Sequence, residues 1–214
     1  MNLPVLIVGG GGHAKVLIEA LRLQSIKILG IIDADATKIG ADVSGIRVIG
    51  DDEAISGYKT SDIFLVNGIG SVHIPKMKID VFEKFKAKGF TFSTIIHPSA
   101  VVASDVALGE GSQIMAGVVI QPGCTIGADT IVNTRASIDH DCQIGDHVHI
   151  APGVTLSGGV RVGDGSHIGT GATVIQGVTI GRNSLVGAGS VVVNDISGDI
   201  EVRGIPAKQV GKNT

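Results

Sequence analysis

The chain has 214 residues, enough for one large domain or two small ones, and a formal net charge of −3. That charge gives no basic nucleic-acid footprint, and with no Trp, one Tyr and five Phe a base-stacking platform is unexpected. No apolar run approaches the ~18 residues of a membrane span, and the start, MNLPVLIVGG, lacks a signal peptide's charged region and cleavage site, so the expectation is a soluble, cytoplasmic protein.

In chain order, VLIVGGGGHAKVLIEALRL reads as an apolar strand, a glycine loop and a helix. Val16, Leu17, Ala20, Leu21 and Leu23 form the helix's expected apolar side. KILGIIDAD reads as a second strand ending at Asp33, and SDIFLVNGIGS as a third ending in a glycine turn. KMKIDVFEKFKAKG reads as a helix closed by Gly89. The order β-α-β-(turns)-β-α-β predicts a small parallel sheet with helices on its faces, over residues 1–95. Gly9, Gly11 and Ala14 fit G-x-G-x-x-[GA] between strand and helix, with Asp33 about twenty residues on. Such a loop brings backbone N–H groups to a phosphate, and the acid can accept from a ribose hydroxyl. Only half of a dinucleotide-binding fold fits here, which favours a mononucleotide or nucleotide-sugar over NAD. The plain alternative is that these glycines only make a tight turn.

From Val102 a different rule holds. Every sixth residue through Val192 is aliphatic, sixteen in succession. Two positions earlier in each hexad stands a residue no larger than Val, from Ala100 to Ser190. Residues two apart share one face of a strand, so both columns point inward. Gly109, Gly127, Gly145, Gly163 and Gly181 recur every eighteen residues. One side in three therefore turns differently, and three hexads make one coil. The pattern predicts a triangular parallel β-solenoid of roughly five coils, stacked at about 4.8 Å per coil. Cys124 and Cys142 fall in the small inward column and read as core filler rather than nucleophiles or a disulfide.

The solenoid alone specifies no chemistry. The stretch ASIDHDCQIGDHVHIAPG, however, gathers Asp139, His140, Asp141, Asp146, His147 and His149. His140 lies two residues past inward Ile138, at a coil corner, and should point out of the helix toward a neighbour. A histidine there suits a general base, and an adjacent carboxylate can fix its tautomer. A solvated corner histidine is the plain alternative. His149 and His167 are eighteen apart and should stack on adjacent coils, with His147 nearby. Zinc is conceivable for such a group, but no metal is the expectation.

A half-Rossmann domain ahead of a hexapeptide solenoid resembles the sugar O-/N-acyltransferases of the sialic-acid O-acetyltransferase type, a branch of the hexapeptide-repeat acyltransferases. VGGGGHA, IIDAD, NGIGS, IIHPSA, NTRASIDHDCQIGDHVHIAPG and GIPAK all look like its landmarks. Within it, the chain is most similar to UDP-4-amino-sugar N-acetyltransferases of bacillosamine biosynthesis. The resemblance implies a left-handed β-helix over residues 96–214, a homotrimer, and acetyl-CoA as co-substrate. It implies a UDP-amino sugar as substrate, with O-acetylation of sialic acid or a non-catalytic nucleotide-sugar scaffold as alternatives. By position it makes His140 the catalytic base and Asp141 its supporting acid, with Asp139 a rival. His149, Thr170 and Ala188 fall at acetyl-CoA contacts. Gly11, Gly12 and His13 fall in the nucleotide-sugar loop, with Asp33, Ala34 and Gly70 at the other substrate contacts. Ala34 stands where an acid is usual, so it could contact substrate only through its backbone.

Overall fold

A computed structural model describes residues 3–71 and 75–213. The first part is a five-stranded sheet in the order β3-β4-β2-β1-β5. Its elements are β1 (Val5–Val8), α1 (Gly12–Leu23), β2 (Ile28–Ile32), β3 (Asp42–Val43), β4 (Ile46–Gly50), β5 (Phe64–Asn67) and α2 (Lys76–Ala87). Strand β1 pairs in parallel with both β2 and β5, and β2 in parallel with β4. The β1 residues are buried on both faces, which explains the unbroken apolar run VLIV.

Three details differ from what the sequence predicts. The residues between Asp33 and β5 are not only turns: β3 and β4 form an antiparallel hairpin through Ser44 and Gly45, both at positive φ. The strand expected after α2 does not join this sheet as a full strand. Phe92 makes a single bridge to Leu65, and Ile95–Ile96 instead pairs with Gln113–Ile114 of the solenoid. The apolar side of α1 also differs. Ala14, Leu17, Ile18 and Leu21 are buried, at the i, i+3, i+4, i+7 spacing of one helix face, while Val16 and Leu23 are exposed. Helix α2 ends as expected, with Gly89 at φ +85° just past it.

The second part is the solenoid, a left-handed parallel β-helix. Two-residue strands recur every six residues from Val101–Val102 to Val191–Val192. Each pairs in parallel with the strand eighteen residues away, as in Val119–Ile120 with Ser137–Ile138. Three sheets result, one per side. Fourteen of the sixteen inward aliphatics are buried; Val102 and Leu108, in the first coil, are partly covered. The eighteen-residue glycine column has a steric cause. A Cβ at Gly109, Gly127, Gly163 or Gly181 would run into the backbone of the next coil, and at Gly145 into Asp164. Cys124 and Cys142 are free and buried in the core, and burial pushes the Cys142 thiol up to about 12. The tail closes the helix: Ile200–Arg203 adds to the sheet at Leu185–Val186, and Lys208–Lys212 folds back antiparallel on it.

One side of the solenoid carries the first part of the chain. Its outward residues Gln113, Ile131, His149, His167 and Leu185 are all buried, whereas Thr125, Gln143, Arg161 and Thr179 on another side are exposed. No helix among the described residues is long and apolar enough to cross a membrane.

Candidate active site

The glycine loop lies at the mouth of a cleft of about 420 Å³. Gly9, Gly11, Gly12, His13, Asp33, Ala34, Lys38 and Gly70 are in its wall. The loop turns at Gly9, whose φ is +94°, a value that favours glycine. Gly10 N donates to Asp33 Oδ2 at 2.8 Å, which ties the loop to the end of β2. Asp33 also accepts from Lys38 Nζ at 2.9 Å and from Asp35 N at 3.0 Å. Burial works to raise the Asp33 pKa, but these donors outweigh it and hold the carboxyl below its ordinary range. Three of about four lone-pair sites on this carboxylate are thus engaged, which leaves one for a ligand hydroxyl.

Space around Gly11 and Gly12 is open: an added Cβ would meet nothing. Their backbones also avoid positive φ. A Gly12→Val variant should therefore fold normally and fill the approach to the helix N-terminus. The expected result is a rise of about 10-fold or more in KM for a phosphate-bearing sugar substrate, with the affinity for the second substrate nearly unchanged. Initial-rate kinetics with each substrate varied in turn will check this; equal losses for both would mean that the cleft does not bind one ligand alone.

A second hollow of about 330 Å³ adjoins the loop and is lined by Gly12, His13, Gly70, Ser71, Asn133 and His149. His149 Nδ1 lies 2.9 Å from the carbonyl of Ser71 and must donate to it. Its Nε2 lies 3.2 Å from Asn133 Nδ2. Asn133 Oδ1 accepts from Thr134 N at 2.7 Å, so the amide presents its N–H to the histidine. Burial, with His167 and His13 nearby, pushes the His149 pKa down to about 3. His149 stands edge-on to His167 of the adjacent coil, with ring centroids 4.8 Å apart. His167 borders a third hollow, of about 380 Å³, which also contains Thr170, Ala188, Glu201 and Arg203. Thr170 and Ala188 thus come together, and the paired histidines His149 and His167 link them to the loop.

His140 and Asp141 line none of these hollows. They sit at a solenoid corner, with the His140 side chain 54% exposed. Asp141, at φ +59°, turns its carboxylate back onto the imidazole: Nδ1 donates to Oδ2 at 2.8 Å. Asp139 instead accepts from the His140 backbone N–H. The Asp141 hydrogen bond raises the His140 pKa above its ordinary value, and the Asp139 charge adds to it. The proton therefore sits on Nδ1, and Nε2 is the free base.

The sequence reading missed Gly158, on the next coil. A Cβ there would lie 2.5 Å from His140 Nε2. Gly158→Ala is expected to displace the ring and lower kcat by about 10-fold or more without loss of thermal stability, since a misplaced base costs rate steeply. Thermal melting beside steady-state rates will show whether the two separate. His147, grouped with His149 by sequence, points elsewhere: its Nδ1 is 3.1 Å from Asp129 Oδ2, and its ring stands edge-on to Phe82. Among the described residues no group of three His, Cys, Asp or Glu side chains is placed to hold a metal.

A half-Rossmann cleft fused to a hexapeptide solenoid with a corner histidine–aspartate pair defines a sugar acyltransferase. The PglD N-terminal domain matches residues 4–83, and the bacterial transferase hexapeptide (six repeats) matches residues 123–158 and 159–194. The chain belongs to the hexapeptide-repeat sugar N-acetyltransferases that carry this N-terminal domain. Perosamine N-acetyltransferase from Caulobacter crescentus, solved with CoA and GDP-perosamine as a histidine-to-asparagine mutant, is 43% identical. That match covers 98% of this chain and 97% of the other, with a TM-score of 0.91. The acetyltransferase domain of PglB from Neisseria gonorrhoeae FA1090 is 35% identical over 98% of this chain and 100% of that one, with a TM-score of 0.90. UDP-N-acetylbacillosamine N-acetyltransferase of Bacillus subtilis (strain 168) is 38% identical over 116 residues, which span 52% of this chain and 51% of that protein.

Proposed function

We propose that the protein transfers the acetyl group of acetyl-CoA to the 4-amino group of a UDP-linked 2-acetamido-4-amino-2,4,6-trideoxy sugar, in bacterial surface glycan biosynthesis. The observation that carries the reading is the combination, in one chain, of a glycine-walled cleft of about 420 Å³ with a carboxylate-supported histidine whose Nε2 is free. The nucleotide sugar occupies residues 1–95 through Gly11, Gly12, His13, Asp33, Ala34 and Gly70. Acetyl-CoA lies along residues 96–214, against His149, Thr170 and Ala188.

The amine nitrogen attacks the thioester carbonyl, and a C–N bond forms as the C–S bond breaks. The ammonium proton passes to His140 Nε2, and the imidazolium returns it to the departing thiolate, so that CoA leaves as its thiol and the base is restored. Asp141 holds the imidazole in the Nδ1–H tautomer and stabilises the imidazolium that forms. A second reading, a GDP-linked amino sugar, is favoured by the full-length similarity to a perosamine N-acetyltransferase. Incubation with acetyl-CoA and a panel of UDP- and GDP-linked amino sugars, followed by assay of the released thiol, separates the two. No release with any amino sugar would refute both.

His140 lines none of the three hollows described above and lies exposed at a solenoid corner, which fits a site completed by a neighbouring copy. A homotrimer working in the cytoplasm belongs to the same reading. Light scattering should report three chains at micromolar concentration; a monomer would contradict it.

A further inference from the structure

His13 is the first side chain beyond the glycine loop, and it stands where two hollows meet. Its Nε2 lies 2.6 Å from Gln113 Oε1, on the solenoid. The Gln113 carboxamide is not free to turn over. Its Nε2 lies 2.8 Å from the carbonyl oxygen of Asn67, which can only accept. The NH₂ must face Asn67, so Oε1 faces His13, and His13 Nε2 must carry the proton. Gln113 is 1% exposed, so water does not compete for it.

The ring is neutral. Burial lowers its pKa and outweighs the Gln113 hydrogen bond, with nearby Lys78 adding to the lowering and Asp129 opposing it. Lys78 on α2 and Asp129 on the solenoid are paired with each other. His149, on the solenoid side, is itself kept neutral by burial. Asp33 and Lys38, across the cleft, also pair with one another. A neutral ring with its proton on Nε2 presents a lone pair at Nδ1.

We propose that Gln113 is a positioning residue for substrate recognition: from the solenoid it locks His13 as the Nε2–H tautomer, so that Nδ1 accepts a hydrogen bond from a hydroxyl of the sugar. The proposal rests on the nucleotide-sugar reading above. With the ribose toward Asp33 and the diphosphate against Gly11 and Gly12, the hexose is what extends past the loop to His13. An imidazolium at this point would donate, and would attract phosphate instead of reading a hydroxyl. A buried acceptor of this kind discriminates against analogues that lack the donor, because it is left unpaired.

The full-length protein with ¹⁵N-labelled histidine gives the first test. Two-bond ¹H–¹⁵N spectra, assigned by the signals lost in His13→Phe, should show His13 with Nε2 protonated and Nδ1 bare between about pH 6 and 8. A protonated Nδ1 would overturn the proposal. This arm needs no substrate, so its outcome is independent of the acetyl-transfer reading, which fails only if no amino sugar is turned over. In the second arm, Gln113→Leu should raise KM for the nucleotide sugar about 10-fold, the scale of one lost hydrogen bond. Its kcat, its KM for acetyl-CoA and its affinity for UDP alone should stay near wild type. Gln113→Glu, which keeps a polar side chain if leucine unfolds the protein, places a carboxylate beside His13 and favours its imidazolium. Its KM for the sugar should then climb, relative to wild type, as the pH falls. An equal loss of UDP affinity, a fall in kcat at constant KM, or a pH-independent ratio to wild type would each overturn the positioning role.

Discussion

His140→Ala is expected to lower kcat by about 10²–10⁴-fold, with KM for both substrates little changed. The ring touches nothing that holds the fold: its Nδ1 bonds only Asp141, and its side chain is half in solvent. Its removal should therefore cost rate and not stability. Asp141→Asn should cost less, about 10-fold, because it orients and polarises the base without touching the reacting atoms. The pH profile gives an independent check. His140 works as a base only when neutral, so log kcat/KM should rise with pH as the imidazolium loses its proton. Asp141 raises the His140 pKa, so that limb should lie above the ordinary histidine value and move down in pH in Asp141→Asn. In His140→Ala it should vanish, apart from any part due to the sugar's own amine. Retention of more than about a tenth of wild-type kcat by His140→Ala would remove it as the base. His149 is the next histidine to test, but both of its ring nitrogens are already bonded within the chain.

The solenoid was legible because its rule is local and strict. A narrow triangular core admits one aliphatic and one small residue per side, and any slip would push backbone into backbone. The glycine loop and Asp33 were legible for a similar reason, since β1, the loop and the end of β2 lie within one short unit. The β3–β4 hairpin was missed because a two-residue strand leaves almost no alternation to read. The buried polar network beneath the loop was invisible for a different reason. Lys78, Asn67, Asp129 and Gln113 meet across separations of 46 to 62 residues. In sequence, a lysine on a helix or an aspartate at a coil corner reads as a solvated face. Gly158 escaped notice because a glycine in a glycine-rich repeat carries no signal; only the ring of His140 lying over it gives it a role.

Lys78→Met should destabilise the fold by about 3–5 kcal/mol, the range for breaking a buried ion pair from one side. Lys78 is 1% exposed and Asp129 not exposed at all, and Nζ lies 2.6 Å from Oδ2. The lysine also donates to the Asp129 carbonyl, and it fixes α2 against the solenoid. Burial pulls the Lys78 pKa down, and the Asp129 charge opposes that pull. With methionine in its place, the carboxylate keeps only the Asn67 amide and the His147 ring, at 3.1 Å each. At about 2–4 °C per kcal/mol for a chain of this size, the melting temperature should fall by about 6–20 °C. Melting curves must be compared at one protein concentration, since assembly adds to apparent stability. Asp129 sits at φ +51°, a conformation asparagine also tolerates. The pair Lys78→Met with Asp129→Asn should therefore recover more than half of the loss, because no unpaired charge remains in the interior. If the single variant melts within a degree or two of wild type, water reaches this carboxylate in solution and the ion pair is not what joins α2 to the solenoid. If the double variant is as unstable as the single one, the cost lies in the lost packing and hydrogen bonds of the lysine, and not in the orphaned charge.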